Sequence, residues 1–214
     1  MTQDYPIEIE PVDIEPYREG NTGIPFMTTF DSGREGPHVM VMAVTHGNEL
    51  CGAIAVDWLF KQGVKPQRGK LSLGFSNWRA YQSFDFDDPD ASRYVDEDIN
   101  RVWDVSTLEG DRNTVETARS REIRPLLDQV DLLLDIHSMS TLCESLMICG
   151  PLEKAANLRA RWQYRNMWSV MRGTPPVNAC AITANSVIPV LQRMPFSSSV
   201  ASTGKNAPPR WRKM

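Results

Sequence analysis

Apolar runs separated by polar segments recur along the first 150 residues of the chain. The clearest is PHVMVMAVT at residues 37–45, which is almost wholly apolar and rich in residues that favour strands. A run of this kind is typical of a central strand that is buried on both faces of a sheet. Three further segments are predicted to form strands: residues 70–77, 131–138 and 144–150.

Two segments between these strands have apolar residues at the spacing of an α-helix. Residues 49–62 carry apolar side chains along one helical stripe, and Gly63 follows as a stop signal. Residues 114–130 are also amphipathic, and we expect Pro125 to kink this helix or to mark a break in it. Strands that alternate with helices predict a layered α/β fold around a mostly parallel sheet.

Two of the three histidines in the chain fall where predicted strands end. His46 follows the first apolar run, with Glu49 three residues later, and His137 closes the run DLLLDIHS. Parallel sheets bind ligands at the carboxyl ends of their strands, and zinc hydrolases use three His, Asp or Glu ligands. These three residues are therefore candidate ligands of one Zn²⁺ ion, and Asp135 is a candidate hydrogen-bond partner of a ligand.

A structural interpretation of the same histidines stays open. The H-x-x-E spacing occurs often without a metal, and a histidine at a strand end is commonly a hydrogen-bonded structural residue. His38 lies at the start of the first predicted strand, which is the opposite edge of the sheet from His46. We interpret His38 as structural.

The polar stretch at residues 78–98 interrupts the alternation of strands and helices. A loop of this length in a compact domain is usually functional or disordered. At its end, Arg93, Asn100 and Arg101 have the side chains that carboxylate recognition needs, since arginine offers a planar fork of donors. One arginine could instead stabilise an oxyanion, or the segment could be a solvated surface with weak ion pairs.

Three motifs taken together, HGNE, RYVDEDINR and DIHS, resemble the succinylglutamate desuccinylase/aspartoacylase family, which is related to the zinc carboxypeptidases. The resemblance covers roughly residues 38–154 and rests on the order and the local spacing of the motifs. It implies an α/β fold of the zinc carboxypeptidase type, a three-layer sandwich with a mostly parallel central sheet, truncated in this chain.

The resemblance also implies a role for each motif residue. The H-x-x-E pair and the later histidine hold a single zinc ion in the family, which carries over to His46, Glu49 and His137. Arg93 would contact the substrate carbonyl as the catalytic residue. Asn100 and Arg101 would bind a substrate carboxylate. The implied reaction is the hydrolysis of an amide or ester bond in a small N-acyl amino acid.

Composition narrows the class of protein further. No apolar run approaches the length of a membrane span, and the acidic start of the chain shows no secretory signal. The four cysteines show no CxxC spacing, which favours reduced thiols. We therefore expect a cytoplasmic protein without a membrane partner, and the sequence predicts no particular oligomeric state.

The composition of residues 155–214 differs from that of the rest of the chain. Residues 155–214 carry nine Lys or Arg and no Asp or Glu, so all 27 acids precede them. The family's general-base glutamate, which stands in a later V-E-x-G-type motif, has no match here, since neither Glu144 nor Glu153 lies in such a motif. A disordered basic tail is one interpretation, and a shift of reading frame near Arg161 is the other.

The genetic code supports the frameshift interpretation. When the last base of each codon is joined to the first two bases of the next, Met167–Trp168 must read as Val. In the same frame, residues 196–204 permit LVECGQHW, which contains a V-E-x-G string. A frameshift also explains the basic tail without nucleic-acid binding.

We therefore divide the chain into two parts. Residues 1–155 are predicted to form an incomplete zinc hydrolase domain, and residues 156–214 an atypical basic tail that is out of frame or disordered. The predicted function is a zinc-dependent deacylase, impaired by loss of the general base. The alternatives are a non-catalytic zinc-binding protein whose tail binds a partner, and a carboxypeptidase-like peptidase.

Overall fold

The computed structural model describes residues 7–138 and three later strands. In chain order the strands and α-helices are β1 (Met27–Asp31), β2 (His38–Ala43), α1 (Leu50–Lys61), β3 (Lys70–Phe75), α2 (Trp78–Gln82), α3 (Val105–Glu109), α4 (Val115–Leu127), β4 (Leu132–Ser138), β5 (Leu146–Cys149), β6 (Trp168–Val170) and β7 (Pro189–Arg193). Short 3₁₀ helices cover Glu15–Tyr17, Pro89–Ser92 and Ile99–Arg101.

The described strands form one sheet in the order β1-β3-β2-β4-β7-β5-β6. The central strand β2 pairs in parallel with β3 on one side and with β4 on the other. The pairs β4–β7 and β5–β6 are also parallel, whereas β1–β3 and β5–β7 are antiparallel. The prediction of a mostly parallel sheet is therefore confirmed.

Helices cover both faces of this sheet. On one face, Met40 and Met42 of β2 share a buried cluster with Ile123 of α4. On the other face, Ala43 of β2 lies in a second cluster with Val56 of α1. Successive residues of a strand point to opposite faces, so the apolar run of β2 feeds both clusters. The result is the predicted three-layer α/β sandwich.

Most predicted elements are present, with shifted ends. The second predicted helix stops at Leu127, and Pro125 lies inside its last turn instead of breaking it earlier. Residues 78–98 are not one continuous loop, because α2 and the 3₁₀ helix Pro89–Ser92 lie within them. Among the described residues, none of the helices has the length and apolar composition that a membrane crossing requires.

Candidate metal centre

The register of β2 and β4 brings two distant segments to one edge of the sheet. Ala43 is paired with Ile136, so the residues that follow each of them lie side by side at the carboxyl ends of β2 and β4. His137 lies within β4, one residue from its end. His46 follows β2 by three residues, in a turn that begins with Val44 at a φ of 62°. This conformation is unusual for a β-branched residue, and such strain clusters at functional sites.

Three predicted ligands meet at this edge. His46 Nδ1 lies 2.8 Å from Glu49 Oε1, and His137 Nδ1 lies 2.8 Å from Glu49 Oε2. The ligand atoms of the three residues all fall within 4.8 Å of one another, and all three side chains are buried. Glu49 is the N-cap residue of α1, so the start of this helix delivers its carboxylate to both imidazoles.

Each imidazole is held on its other nitrogen by a second carboxylate. His137 Nε2 donates to Asp135 Oδ2 at 2.8 Å, and Thr45 Oγ1 donates to the same oxygen at 2.8 Å. His46 Nε2 lies 3.1 Å from Asp98 Oδ1. Carboxylates in this position orient metal-binding histidines and raise their basicity. Asp135 was expected here from its spacing, whereas Asp98 was missed, although it lies in the motif RYVDEDINR.

The charges of the cluster shift the pKa values of its members. Burial opposes the charged form of His137, but Asp135 and Glu49 outweigh burial and raise the pKa of His137 well above 6.5. For His46, burial is likewise outweighed by Asp98 and Glu49, and the pKa is raised. Burial would raise the pKa of Glu49, but the two histidines lower it to about 2. The cluster therefore favours positive charge between its carboxylates.

The donor set fits a divalent zinc-like cation. Two imidazole nitrogens and one carboxylate are the ligand set of His₂Glu catalytic zinc sites, which keep a fourth position open. A cation bound here would replace the two Nδ1 protons, because both Nδ1 atoms face Glu49. The hydrogen bonds from the Nε2 atoms to Asp98 and Asp135 would stay in place.

Arg93 lies beside the cluster, as its sequence position suggested. Its Nη2 is 3.0 Å from His46 Nε2, and its Nη1 is 3.8 Å from Glu49 Oε1. One nitrogen of His46 cannot both donate to Asp98 and accept from Arg93. We assign the Nε2 proton to the Asp98 bond, because an ionised carboxylate oxygen can only accept. The side chain of Arg93 is 38% exposed, so a ligand can reach its guanidinium.

Asn100 and Arg101 lie in the 3₁₀ helix that follows Asp98 directly. The amide N–H of Asn100 donates to Asp98 Oδ1 at 2.8 Å, which caps this helix. Arg101 is exposed, and its Nη1 donates to the carbonyl oxygen of Asn100 at 3.3 Å. The two residues therefore share a short segment with a carboxylate that contacts His46, and their role in substrate binding stays a prediction.

Gly47 joins the H-x-x-E turn to the segment that carries Arg93. Its N–H donates to the carbonyl oxygen of Arg93 at 3.0 Å. A methyl group at Gly47 would overlap the carbonyl oxygen of Ser92 and the backbone of Ala80. Glycine is therefore required here by close backbone packing.

His38 is hydrogen-bonded at the other edge of the sheet, as expected for a structural histidine. Its Nδ1 lies 3.1 Å from the carbonyl oxygen of Gln129, and its Nε2 lies 2.7 Å from Ser72 Oγ. Burial lowers the pKa of His38, which is the opposite direction from the two histidines of the cluster.

Comparison with known proteins identifies the family. A model of the succinylglutamate desuccinylase/aspartoacylase catalytic domain matches residues 35–170, which include every predicted site residue. The chain belongs to this family. The enzymes that give the family its name are a desuccinylase and an acylase.

Curated relatives are similar over part of their length. Aspartoacylase of Mus musculus is 29% identical over 114 residues, which cover 48% of this chain and 34% of the relative. Aspartoacylase of Danio rerio is 26% identical over 136 residues, which cover 58% of this chain and 40% of the relative. The match thus spans between about a third and two fifths of the length of these relatives.

Solved structures share the fold. Murine aminoacylase 3 aligns with a TM-score of 0.57 at 20% identity, covering 78% of this chain and 59% of that one. A succinylglutamate desuccinylase from Chromobacterium violaceum aligns with a TM-score of 0.57 at 16% identity, covering 84% and 63%. These likenesses confirm the predicted resemblance at the level of the fold.

Proposed function

We propose that this chain carries the metal-binding part of a zinc-dependent deacylase that acts on N-acyl amino acids. The observation that carries the proposal is the buried cluster of His46, Glu49 and His137, whose ligand atoms lie within 4.8 Å of one another. Membership of an acyl-cleaving family supplies the reaction class. The outer carboxylates of Asp98 and Asp135 support a metal-binding role, since they hold both imidazoles in a ligand-ready orientation.

The residues around the cluster have distinct proposed roles. A bound zinc ion would lower the pKa of a water ligand to about 7 and polarise the substrate carbonyl. Arg93 would donate to the carbonyl oxygen as negative charge develops on it, and the position of its partly exposed guanidinium beside His46 supports this role. Asn100 and Arg101 follow on the same segment and would bind the substrate carboxylate through the amide and the guanidinium fork.

None of the described carboxylates that contact the cluster is available as a general base. The carboxylates of Glu49, Asp98 and Asp135 are each engaged with a histidine of the cluster. The glutamates at positions 144 and 153 and the segment at 196–204 lie outside the described residues. We infer that the tail is a frameshift product and that this chain is a deacylase with impaired catalysis.

Metal analysis with a matched histidine control tests the zinc site. The purified chain should bind one zinc ion, the His137→Asn variant should lose it, and the His38→Asn variant should keep it. His38 is the fitting control because it is also buried and hydrogen-bonded, but lies at the other edge of the sheet. Equal zinc content in both variants would refute the assignment of the ligands.

A substrate comparison then tests the reaction class. Zinc-loaded chain should hydrolyse N-acetyl and N-succinyl amino acids slowly, and blocked dipeptides not at all. Cleavage of the peptides alone would instead identify a carboxypeptidase-like peptidase on the same scaffold.

A further inference from the structure

Another acidic residue, which is hydrogen-bonded to none of the three ligands, is completely buried. Glu116 lies in the first turn of α4 and has 0% of its surface exposed. Its Oε1 accepts hydrogen bonds from the Val95 N–H at 2.7 Å and from Asn77 Nδ2 at 3.0 Å. Its Oε2 accepts from the N–H groups of Asp96 at 3.1 Å and Glu97 at 3.3 Å.

These contacts hold the segment that carries the site. Three consecutive amides, at residues 95–97, point at one carboxylate, and the segment is bounded by Arg93 and Asp98. Both of these residues contact His46. Residues 95–97 therefore lie between the two residues of this segment that contact His46.

Side chains of this segment also accept hydrogen bonds from residues at the start of α4. Asp96 Oδ2 accepts a hydrogen bond from the Val115 N–H at 2.7 Å, and Glu97 Oε1 accepts one from Thr114 Oγ1 at 2.7 Å. The free N–H groups at a helix start favour such acceptors, and the helix dipole favours the charge of Glu116.

Helix α4 is in turn attached to the sheet. Arg119 is buried and donates to the carbonyl oxygens of Ser76 at 2.7 Å and Phe75 at 3.0 Å, at the end of β3. The chain of contacts thus runs from the sheet edge through α4 and Glu116 to residues 95–97. A buried carboxylate is costly unless it is fully hydrogen-bonded, and four donors satisfy this one.

We propose that Glu116 is a positioning residue for the metal centre: it holds residues 95–97 so that Arg93 and Asp98 stay against His46. This inference rests on the proposed function, because it assigns the segment's geometry to the same site. The hydrogen bonds of Glu116 go to Asn77 and to residues 95–97, and none goes to a proposed metal ligand. It acts through the backbone of the segment.

The test compares Glu116→Gln with the control Glu109→Gln. The introduced side-chain amide has the shape of the carboxylate but turns an NH₂ group toward backbone N–H donors, which breaks the contacts on that side. Glu109 is an exposed acid on α3. We expect the Glu116→Gln chain to bind Zn²⁺ about 10- to 100-fold more weakly, as for the loss of an outer partner of a metal ligand. The Glu109→Gln chain should bind Zn²⁺ as the wild type does.

Hydrogen exchange separates positioning from general stability. In Glu116→Gln, protection should fall in residues 93–101 while β2, β3 and β4 keep theirs. If Glu116→Gln does not fold, Glu116→Asp takes its place, since the shorter carboxylate cannot reach all four donors. Unchanged zinc affinity and unchanged exchange at 93–101, or equal loss of protection across the sheet, would overturn the proposal. A wild-type chain that binds no Zn²⁺ refutes the proposed function, and the exchange comparison then decides the role of Glu116 alone.

Discussion

His46 and His137 each lie between two carboxylates, and this arrangement governs how the site responds to protons. Glu49 faces both Nδ1 atoms, while Asp98 and Asp135 face the Nε2 atoms. The same carboxylates that would orient the imidazoles for a metal also stabilise their protonated forms. Protons and a divalent cation therefore compete for the Nδ1 positions.

We predict that zinc affinity rises with pH through and above 6.5. Zn²⁺ must displace protons from two histidines whose pKa values are raised above 6.5 by the neighbouring carboxylates. Competition with a chromophoric chelator at a series of pH values measures the trend. The His38→Asn variant should follow the same curve, and an affinity that is independent of pH would contradict the proposed ligand atoms.

The metal-free fold should respond to pH with the opposite sign. The raised pKa values of His46 and His137 add stability that is complete below their unfolded value of 6.5 and is lost as pH rises through the folded values. The lowered pKa of Glu49 adds stability above 4.5 that is lost as pH falls toward about 2. In urea unfolding with a chelator present, the free energy of unfolding should therefore be highest between pH 4.5 and 6.5. In this range the contributions of His46, His137 and Glu49 are all present. An Asp135→Asn variant should weaken the dependence above 6.5, and an unchanged slope there would count against this account.

At the scale of elements, the site depends on close contact between the turn after β2 and the segment before the 3₁₀ helix Ile99–Arg101. Gly47 mediates this contact, because its N–H bonds to Arg93 and its Cα has no room for a side chain. Helix α1 then begins at Leu50 with Glu49 as its N-cap. The turn after β2, the start of α1 and the segment before the 3₁₀ helix therefore meet at the cluster.

Gly47→Ala should remove zinc binding while Gly63→Ala should leave it intact. The new methyl group at position 47 overlaps backbone atoms of Ser92 and Ala80 and must displace the segment that carries Arg93. At Gly63 nothing lies within 4 Å, but φ is +61°, so alanine there costs about 1–2 kcal/mol of backbone strain only. Zinc titration and thermal unfolding of both variants measure the difference. Equal zinc affinity in the two variants would contradict the proposed coupling.

At the scale of the whole molecule, residues 155–214 stand out because they contain no Asp or Glu. The family model matches residues 35–170 and so reaches into this acid-free part, and the match covers 34% and 40% of the two curated relatives. The strands β6 and β7 fall within the predicted tail, and β7 pairs with β4 from Asp135 to Ser138. The ligands themselves all precede the tail.

A frame-restored chain is one translated from DNA in which the proposed shift near Arg161 has been reversed. It should hydrolyse N-acyl amino acids about 10²–10⁴-fold faster than this chain, since loss of a general base commonly costs this factor. Both chains should bind one zinc ion, because His46, Glu49 and His137 are common to both. Sequencing of the coding DNA beyond codon 150 and parallel activity assays supply the measurement. Zinc binding without hydrolysis by the restored chain would favour the non-catalytic alternative.

The sequence by itself determined the α/β class, the parallel strands and the three residues that meet in the cluster. It could do so because strand burial and helical periodicity are local patterns, and because HGNE and DIHS lie at the ends of predicted strands. It also led to Asp135, whose spacing of two residues from His137 places both side chains on one face of β4.

Only the tertiary structure decided the partners that are distant in the chain. Asp98 contacts His46 across 52 residues, and Glu116 contacts the amides of residues 95–97 although nothing in its local pattern distinguishes it from a surface acid at a helix start. Antiparallel β1 and the short helices within residues 78–98 were also set by packing. The physical reason is that a hydrogen bond between remote segments depends on sheet register and on where the helices lie. The spacing of apolar residues within a short stretch of sequence contains neither.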